Sequence, residues 1–554
     1  ARLSPPAEPA LKDPSAFRLI GSEAPRRRDG AAKTDGSAMF AMDVRVPGMV
    51  TAVMVRSPRF GGRLIGFDAA AAADVPGFVA AHAAPNGAGV FVYGRGAWAA
   101  MQARQAVTVE WDFSQAEGRD SDAMAAEHLA LLDRPQFEAG EDPAGTEAAL
   151  AAAAQVVETT LEFPFLAHAP LEPLNCVIAP DGDGVRLIDG CQFPGITQPT
   201  VAAILGLAPE QVRIDTVFAG GSFGRRAIPT SDYHVEAAMA FAALGGRTPV
   251  RLIWSREDDL TGGWYRPMAA HRVRVGLDAA GNVVAWDHRI ATKSIFKGTA
   301  LEPFVVKDGV DHASVEGVAD TPYAIPAMRV GLSDFQTPVP VLWWRAVGHT
   351  HTAFAVEAAL DAAAEAAGRD PVEFRLALLP GDTEDQRRLA GVLRLAADKA
   401  GWGGPALEGR GRGIAAHKSF GSYVAEVAEV TLDGDRVKVE RVVAAVDCGV
   451  AINPDVIRAQ IEGGIGYGLG AAMRNAITLT GGVVDQQNFG DYEPLRLRDM
   501  PQVETHIVAS DAAPTGVGEP GLPPIGPAVA NAIRAAGGRR VARLPMTADG
   551  YDFG

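Results

Sequence analysis

Cysteine is nearly missing from this chain of 554 residues: three are present, at 176, 191 and 448, and no two stand in a C-x-x-C spacing. That scarcity rules out a disulfide framework and argues against a cysteine-ligated zinc ion or an iron–sulfur cluster within the chain. Positive charge is outweighed as well, 51 Lys and Arg against 67 Asp and Glu, which leaves a formal net charge of −16. Such a balance repels phosphate backbones and anionic lipid at long range, and no local basic patch offsets it. No apolar run reaches the roughly 18 residues that a membrane-spanning helix needs. The first residue is Ala1, and ARLSPPAEPALKDPSAF has neither the charged segment nor the apolar core of a signal peptide, so the compartment is not legible there. No repeat of fixed period is present.

What the chain does have is the composition of a folded, loop-rich protein: 47% hydrophobic and 21% charged residues, with 62 Gly and 38 Pro. Its length exceeds one ordinary core and predicts two or three packed units of α+β class. A Pro-rich linker over 1–16 leads into short β-patterned runs at Phe40–Val46, Val50–Val55, Val90–Val92 and Ala106–Val109. Turn pairs such as Pro47-Gly48 and Gly61-Gly62 break these runs, as in a small α/β domain over 17–115. Residues 116–144 read as a linker with a helix around 121–133. Beyond it, Asp181 to Gly184 turns Cys176–Ala179 back into Val185–Asp189, and Asp433-Gly434 joins Val427–Leu432 to Val437–Val446. Helices are predicted over Thr352–Ala367, with Thr350 or Thr352 as cap, and over Glu384–Lys399. The break Gly401-Trp402-Gly403-Gly404-Pro405 then divides a region 145–400 from a region 401–554.

Several stretches carry chemistry. A strand at Val212–Ala219 feeds Gly220-Gly221-Ser222-Phe223-Gly224, where glycines let backbone N–H groups approach an anion or a flat cofactor. The same five residues match G-x-S-x-G, the nucleophile elbow of serine hydrolases, with Ser222 as nucleophile. An elbow needs a helix directly after the serine, and Pro229 stands in its way. Gly516-Val517-Gly518-Glu519-Pro520-Gly521 holds a carboxylate between rigid flanks, either a solvated loop residue or a general base. Leu171-Glu172-Pro173-Leu174-Asn175 and Leu342-Trp343-Trp344-Arg345 each set a charge among large apolar groups, a salt-bridged structural arrangement or an orienting contact for a polar substrate. Asp447 to Pro454 turns into a helix bearing Gln460-Ile461-Glu462-Gly463-Gly464. There helix capping explains most of the pattern and a ligand contact the remainder.

In their order and spacing these motifs resemble the molybdenum-binding subunit of the xanthine dehydrogenase and aldehyde oxidase superfamily, most closely its isoquinoline 1-oxidoreductase β-subunit branch. The resemblance runs from Phe17 to Leu544 and is strongest at 163–176, 212–226, 342–376, 413–470 and 514–534. It implies a hammerhead-like α/β domain over 17–115 and a large mixed α/β molybdopterin-binding region over 145–554. It implies Glu519 as the catalytic glutamate and Gln192 as the glutamine that hydrogen-bonds an oxo group of the metal. Gly220, Gly221, Ser222, Phe223 and Gly224 become the loop beside the molybdenum, with Gly518, Arg345 and Gln460 as further cofactor contacts. No side chain ligates the metal, because a pterin carries it. The cofactor is then molybdopterin, in bacterial members usually the cytosine dinucleotide form, and the compartment bacterial periplasm or cytoplasm.

The implied activity is hydroxylation of an N-heteroaromatic compound or oxidation of an aldehyde, with water as oxygen source. Electrons pass to [2Fe–2S] clusters on a separate small iron–sulfur subunit, since this chain has no cysteine cluster to hold them. The MGQG-type turn and GGSTS-type loop that this branch carries ahead of the hammerhead do not occur here, so a companion polypeptide is expected to complete the site. A serine hydrolase using Ser222 and a cofactor-free scaffold are the alternatives.

Overall fold

The computed structural model describes residues 6–139, 143–404 and 409–554. Residues 1–5 of the N-terminal linker, 140–142 of the second linker and Pro405 of the glycine-rich break lie outside the described residues.

Three sheets carry the molecule. The first has seven strands in the order Val212–Thr216, Gly184–Asp189, Asn175–Asp181, Val250–Ile253, Val50–Arg56, Gly89–Gly94 and Phe78–Ala83. Its residues alternate Val, Ile, Phe and Leu, and the inward set packs as one core that includes Ala52, Phe91, Cys176, Leu187, Tyr233 and Leu252. Val50 pairs with Val250 in a parallel ladder, so strands of the expected 17–115 domain share a sheet with the expected 145–400 region. The second sheet orders Phe137–Glu138, Met328–Asp334, Val283–Thr292, Ala269–Leu277 and Gln155–Phe163. The third runs Arg410–Ser419, Ser422–Asp433, Arg436–Asp447 and Gln502–Ile507, beginning beyond the break at 401–404. That break does not divide the core, since Trp286 and Leu360 lie in the same apolar cluster as Ile414 and Val443.

The two predicted hairpins form around their turns, and the helices occupy His349–Ala366 and Glu384–Ala400. Two details differ. Phe40–Val46 contributes no strand but a single 3-10 turn, Ala41–Asp43, because the Asp43 carboxylate accepts the Phe40 N–H at 3.0 Å. The first long helix is capped at Gly348, not by a threonine: the hydroxyls of Thr350 and Thr352 donate backwards to Val347 and Gly348 carbonyls. Among the described residues no helix is long and apolar enough to cross a membrane.

Candidate active site

Strands Gly184–Asp189 and Val212–Thr216 are parallel neighbours, so the chain leaves both at the same edge of the sheet. One exit delivers Gln192 and the other the loop 220–224, which is the usual placing of ligand sites in open α/β sheets. Glycine is required in that loop by close approach. A Cβ on Gly220 would lie 2.4 Å from Glu172 Cβ, and Gly224 has φ +111° with Trp343 O at 2.7 Å from where its Cβ would be. Glu172 buckles the turn from behind, accepting the Gly220 N–H at 2.7 Å, the Arg226 guanidinium at 3.2 Å and the Asn175 amide at 3.0 Å. The Ser222 hydroxyl donates to Gln192 Oε1 and accepts the Arg226 N–H at 3.1 Å. Among the described residues no protein acceptor meets the backbone N–H groups of 221–224 or the Gln192 amide N–H groups.

The glycine loop and the wall facing it both hold strained backbone. Phe223, Ala346 and Val347 have φ of 56°, 85° and 52°, a region that costs a non-glycine residue about 1–3 kcal/mol and that clusters at functional sites. Several contacts hold it there. Arg345 N–H donates to Phe223 O at 3.0 Å, Ala346 N–H to Glu519 Oε1 at 2.9 Å, and Arg345 Nε to Gly518 O at 2.7 Å. Arg345 Nη2 also reaches the Gln460 backbone and amide oxygens, both at 3.1 Å. Burial lowers the Arg345 guanidinium from its ordinary value, while Tyr467 and the Glu519 carboxylate oppose that shift. Neither tryptophan beside Arg345 stacks on it. Trp343 donates to Gly224 O, and Trp344 lies on Tyr467.

The candidate site residues thus join one hydrogen-bonded chain: Gln192 to Ser222, the loop to Arg345, Arg345 to Gln460 and Gly518, and Ala346 to Glu519. Two residues escaped sequence reasoning. Tyr467 stacks between Phe223 and Trp344, with ring centroids 4.1 and 4.4 Å away, and donates to His168 O at 2.7 Å. His168 Nε2 lies 2.8 Å from Trp343 O, and burial pushes its imidazole down to about 3. Glu172 was singled out only as a charge among apolar groups. Glycines at 463, 464, 466, 468 and 470 were the available signal for Tyr467, because glycine weakens a helix interior unless close packing needs it. Gly464 indeed lies where a Cβ would stand 2.9 Å from the Gly521 backbone, while the cap is made by Asn453 alone.

This arrangement does not suit a serine hydrolase. The helix after Ser222 starts at Asp232, and the serine's hydroxyl bonds an amide and a backbone N–H instead of a histidine. It does suit a group that brings its own metal ligands. Unpaired N–H groups on a glycine loop suit oxo or phosphate oxygens. A carboxylate held by a backbone N–H suits a base, and none of the three buried cysteines takes part in this hydrogen-bonded chain.

Comparison with known proteins places the chain in a family and a fold. Residues 127–378 and 346–501 each match a family described as molybdopterin cofactor-binding domain. The chain is 33% identical to isoquinoline 1-oxidoreductase subunit beta of Brevundimonas diminuta, over 97% of this chain and 69% of that protein. It is 30% identical to a membrane-bound aldehyde dehydrogenase [pyrroloquinoline-quinone] of Gluconacetobacter polyoxogenes, over 97% and 73%. Quinoline 2-oxidoreductase from Pseudomonas putida 86 shares the fold, with a TM-score of 0.81 at 15% identity over 96% of this chain and 97% of that one.

Proposed function

The chain belongs to the molybdopterin-binding subunits of the xanthine dehydrogenase and aldehyde oxidase superfamily, and from that premise we propose that it is the catalytic subunit of a molybdenum hydroxylase acting on an N-heteroaromatic compound or an aldehyde. The observation that carries this reading is the hydrogen-bonded chain that runs from Gln192 through Ser222, Phe223 and Arg345–Ala346 to Glu519. When bound, the molybdenum pterin supplies the two-electron oxidation and the activation of water.

The chain's own residues do the remainder. Glu519 takes up a proton at its carboxylate, and the Ala346 N–H fixes its direction. The Gln192 amide and the loop N–H groups donate to cofactor oxygens, which suits a dinucleotide pterin such as the cytosine form. Arg345 ties the Glu519 loop to the helix that bears Gln460. Electrons leave to [2Fe–2S] clusters on a separate small subunit, a reading supported by the scarcity of cysteine here and by relatives named as subunits. A further segment, on this polypeptide or another, completes the cofactor cradle, in keeping with the exposed apolar side chains of Leu19, Met39, Phe218 and Ile452 that flank the site.

Metal and pterin analysis of the purified enzyme tests this, together with turnover of isoquinoline, nicotinate and an aldehyde in isotopically labelled water. Bound molybdenum, a pterin and label in the product are expected. An active enzyme that holds pyrroloquinoline quinone and no molybdenum would overturn the reading.

A further inference from the structure

Beneath the strand end that carries Gln192 lies a second cluster, which the proposed reaction leaves unused. Strand Gly184–Asp189 closes on Asp189, its neighbour Asn175–Asp181 contributes Cys176, and helix Asp232–Ala243 contributes Tyr233 and His234. Cys176 and Asp189 are 0% exposed and His234 1%. One donor atom from each of Cys176, Asp189 and His234 lies within 4.8 Å of the other two. Asp189 Oδ2 accepts the Tyr233 hydroxyl at 2.9 Å and meets His234 Nε2 at 2.8 Å. Yet Asp189 Oδ1 and His234 Nδ1, both sealed from solvent, have no hydrogen-bond partner. Protein interiors rarely leave two such atoms in one contact group, and each instance calls for a cause.

We propose that Cys176, Asp189 and His234 form a buried binding site for zinc. A thiolate, an imidazole and a carboxylate make a donor set that zinc accepts, whereas calcium and magnesium demand oxygen alone. The charges also balance. A divalent ion, one thiolate, one carboxylate and a neutral imidazole sum to zero, so the dry pocket takes on no net charge. The ion replaces the hydrogen between His234 Nε2 and Asp189, and Oδ1 becomes available to it. Tyr233 then steadies the ligating carboxylate from outside, as second partners do in metal sites.

Such a site would brace the reaction centre. Asp189 O accepts the Val217 N–H at 3.0 Å, and a Cβ on Gly190 would stand 2.6 Å from Ala219 Cβ. The clamp therefore grips both the exit that leads to Gln192 and the one that leads to the glycine loop. No local spacing announces it, because its donors come from two strands and a helix.

The inference stands independently of the molybdenum reading, since elemental analysis of the intact enzyme counts the two metals separately. One zinc ion per chain should survive dialysis against a weak chelator, and Cys176→Ser and His234→Ala should each lose it. X-ray absorption at the zinc edge of the unaltered enzyme should give a sulfur shell near ~2.3 Å, a readout that does not depend on any variant folding. Zinc-free enzyme after expression with zinc supplied, zinc retained by Cys176→Ser, or a shell of nitrogen and oxygen alone would each overturn the proposal.

Discussion

Glu519 is the residue on which the proposed chemistry turns, and its surroundings allow a clean substitution. Glu519→Gln keeps an oxygen for the Ala346 N–H and removes only the basicity. Turnover should fall by roughly 10²–10⁴-fold, the usual worth of a general base, with molybdenum content and melting temperature unchanged; near-normal turnover would make the carboxylate a bystander. Gln192→Ala should likewise lower turnover or alter the molybdenum spectroscopic signal more than it lowers the melting temperature. A loss of stability alone would reduce Gln192 to a partner of Ser222. Ser222→Ala should have a modest effect, where the hydrolase alternative demands abolition. Glu519 and Ser222 could be singled out because each sits in a short glycine-rich motif, and Gln192 through the resemblance by its distance along the chain from Phe223. Cys176, Asp189 and His234 could not, since their convergence depends on strand pairing and on a contact 45 residues apart in sequence.

At the scale of elements, the hairpins could be read from alternation and an Asp-Gly turn, whereas the seven-stranded sheet could not, because Val50 finds Val250 across 200 residues with no local signal. The N-terminus of helix His349–Ala366 was misread for a related reason. Its Gly348 N–H is taken by Glu316 at 2.7 Å, a residue from a different segment. Burial pushes the Glu316 carboxyl up to about 8, with Asp320 and Asp311 adding to the shift and the Gly348 and His349 N–H groups opposing it. His349, 3.6 Å from Glu316, is pushed down to about 4 by burial, so the contact is not an ion pair at neutral pH. The native state therefore binds a proton at Glu316 that the unfolded chain has lost above its ordinary value of 4.5. That contribution is fully present below 4.5 and fades as pH rises to about 8. Thermal denaturation of Glu316→Gln alongside the parent across this window should show the parent's relative stability falling as pH rises. A constant difference in melting temperature would mean that Glu316 does not titrate there. The comparison cancels the opposite contribution of His349.

For the molecule as a whole, the arithmetic of electrons sets the last expectation. The proposed oxidation removes two electrons from each substrate, and the chain offers three cysteines, all buried, with Cys448 near the start of the helix that bears Gln460 and the other two beneath Gln192. Cluster ligation needs four thiolates in most cases, so these cannot hold an iron–sulfur centre. Native mass spectrometry of active enzyme should therefore find this chain with a smaller iron-bearing polypeptide, and iron and acid-labile sulfide should accompany molybdenum through purification. An active preparation with molybdenum and no iron would overturn that assembly, and would require the electrons to leave directly from the cofactor.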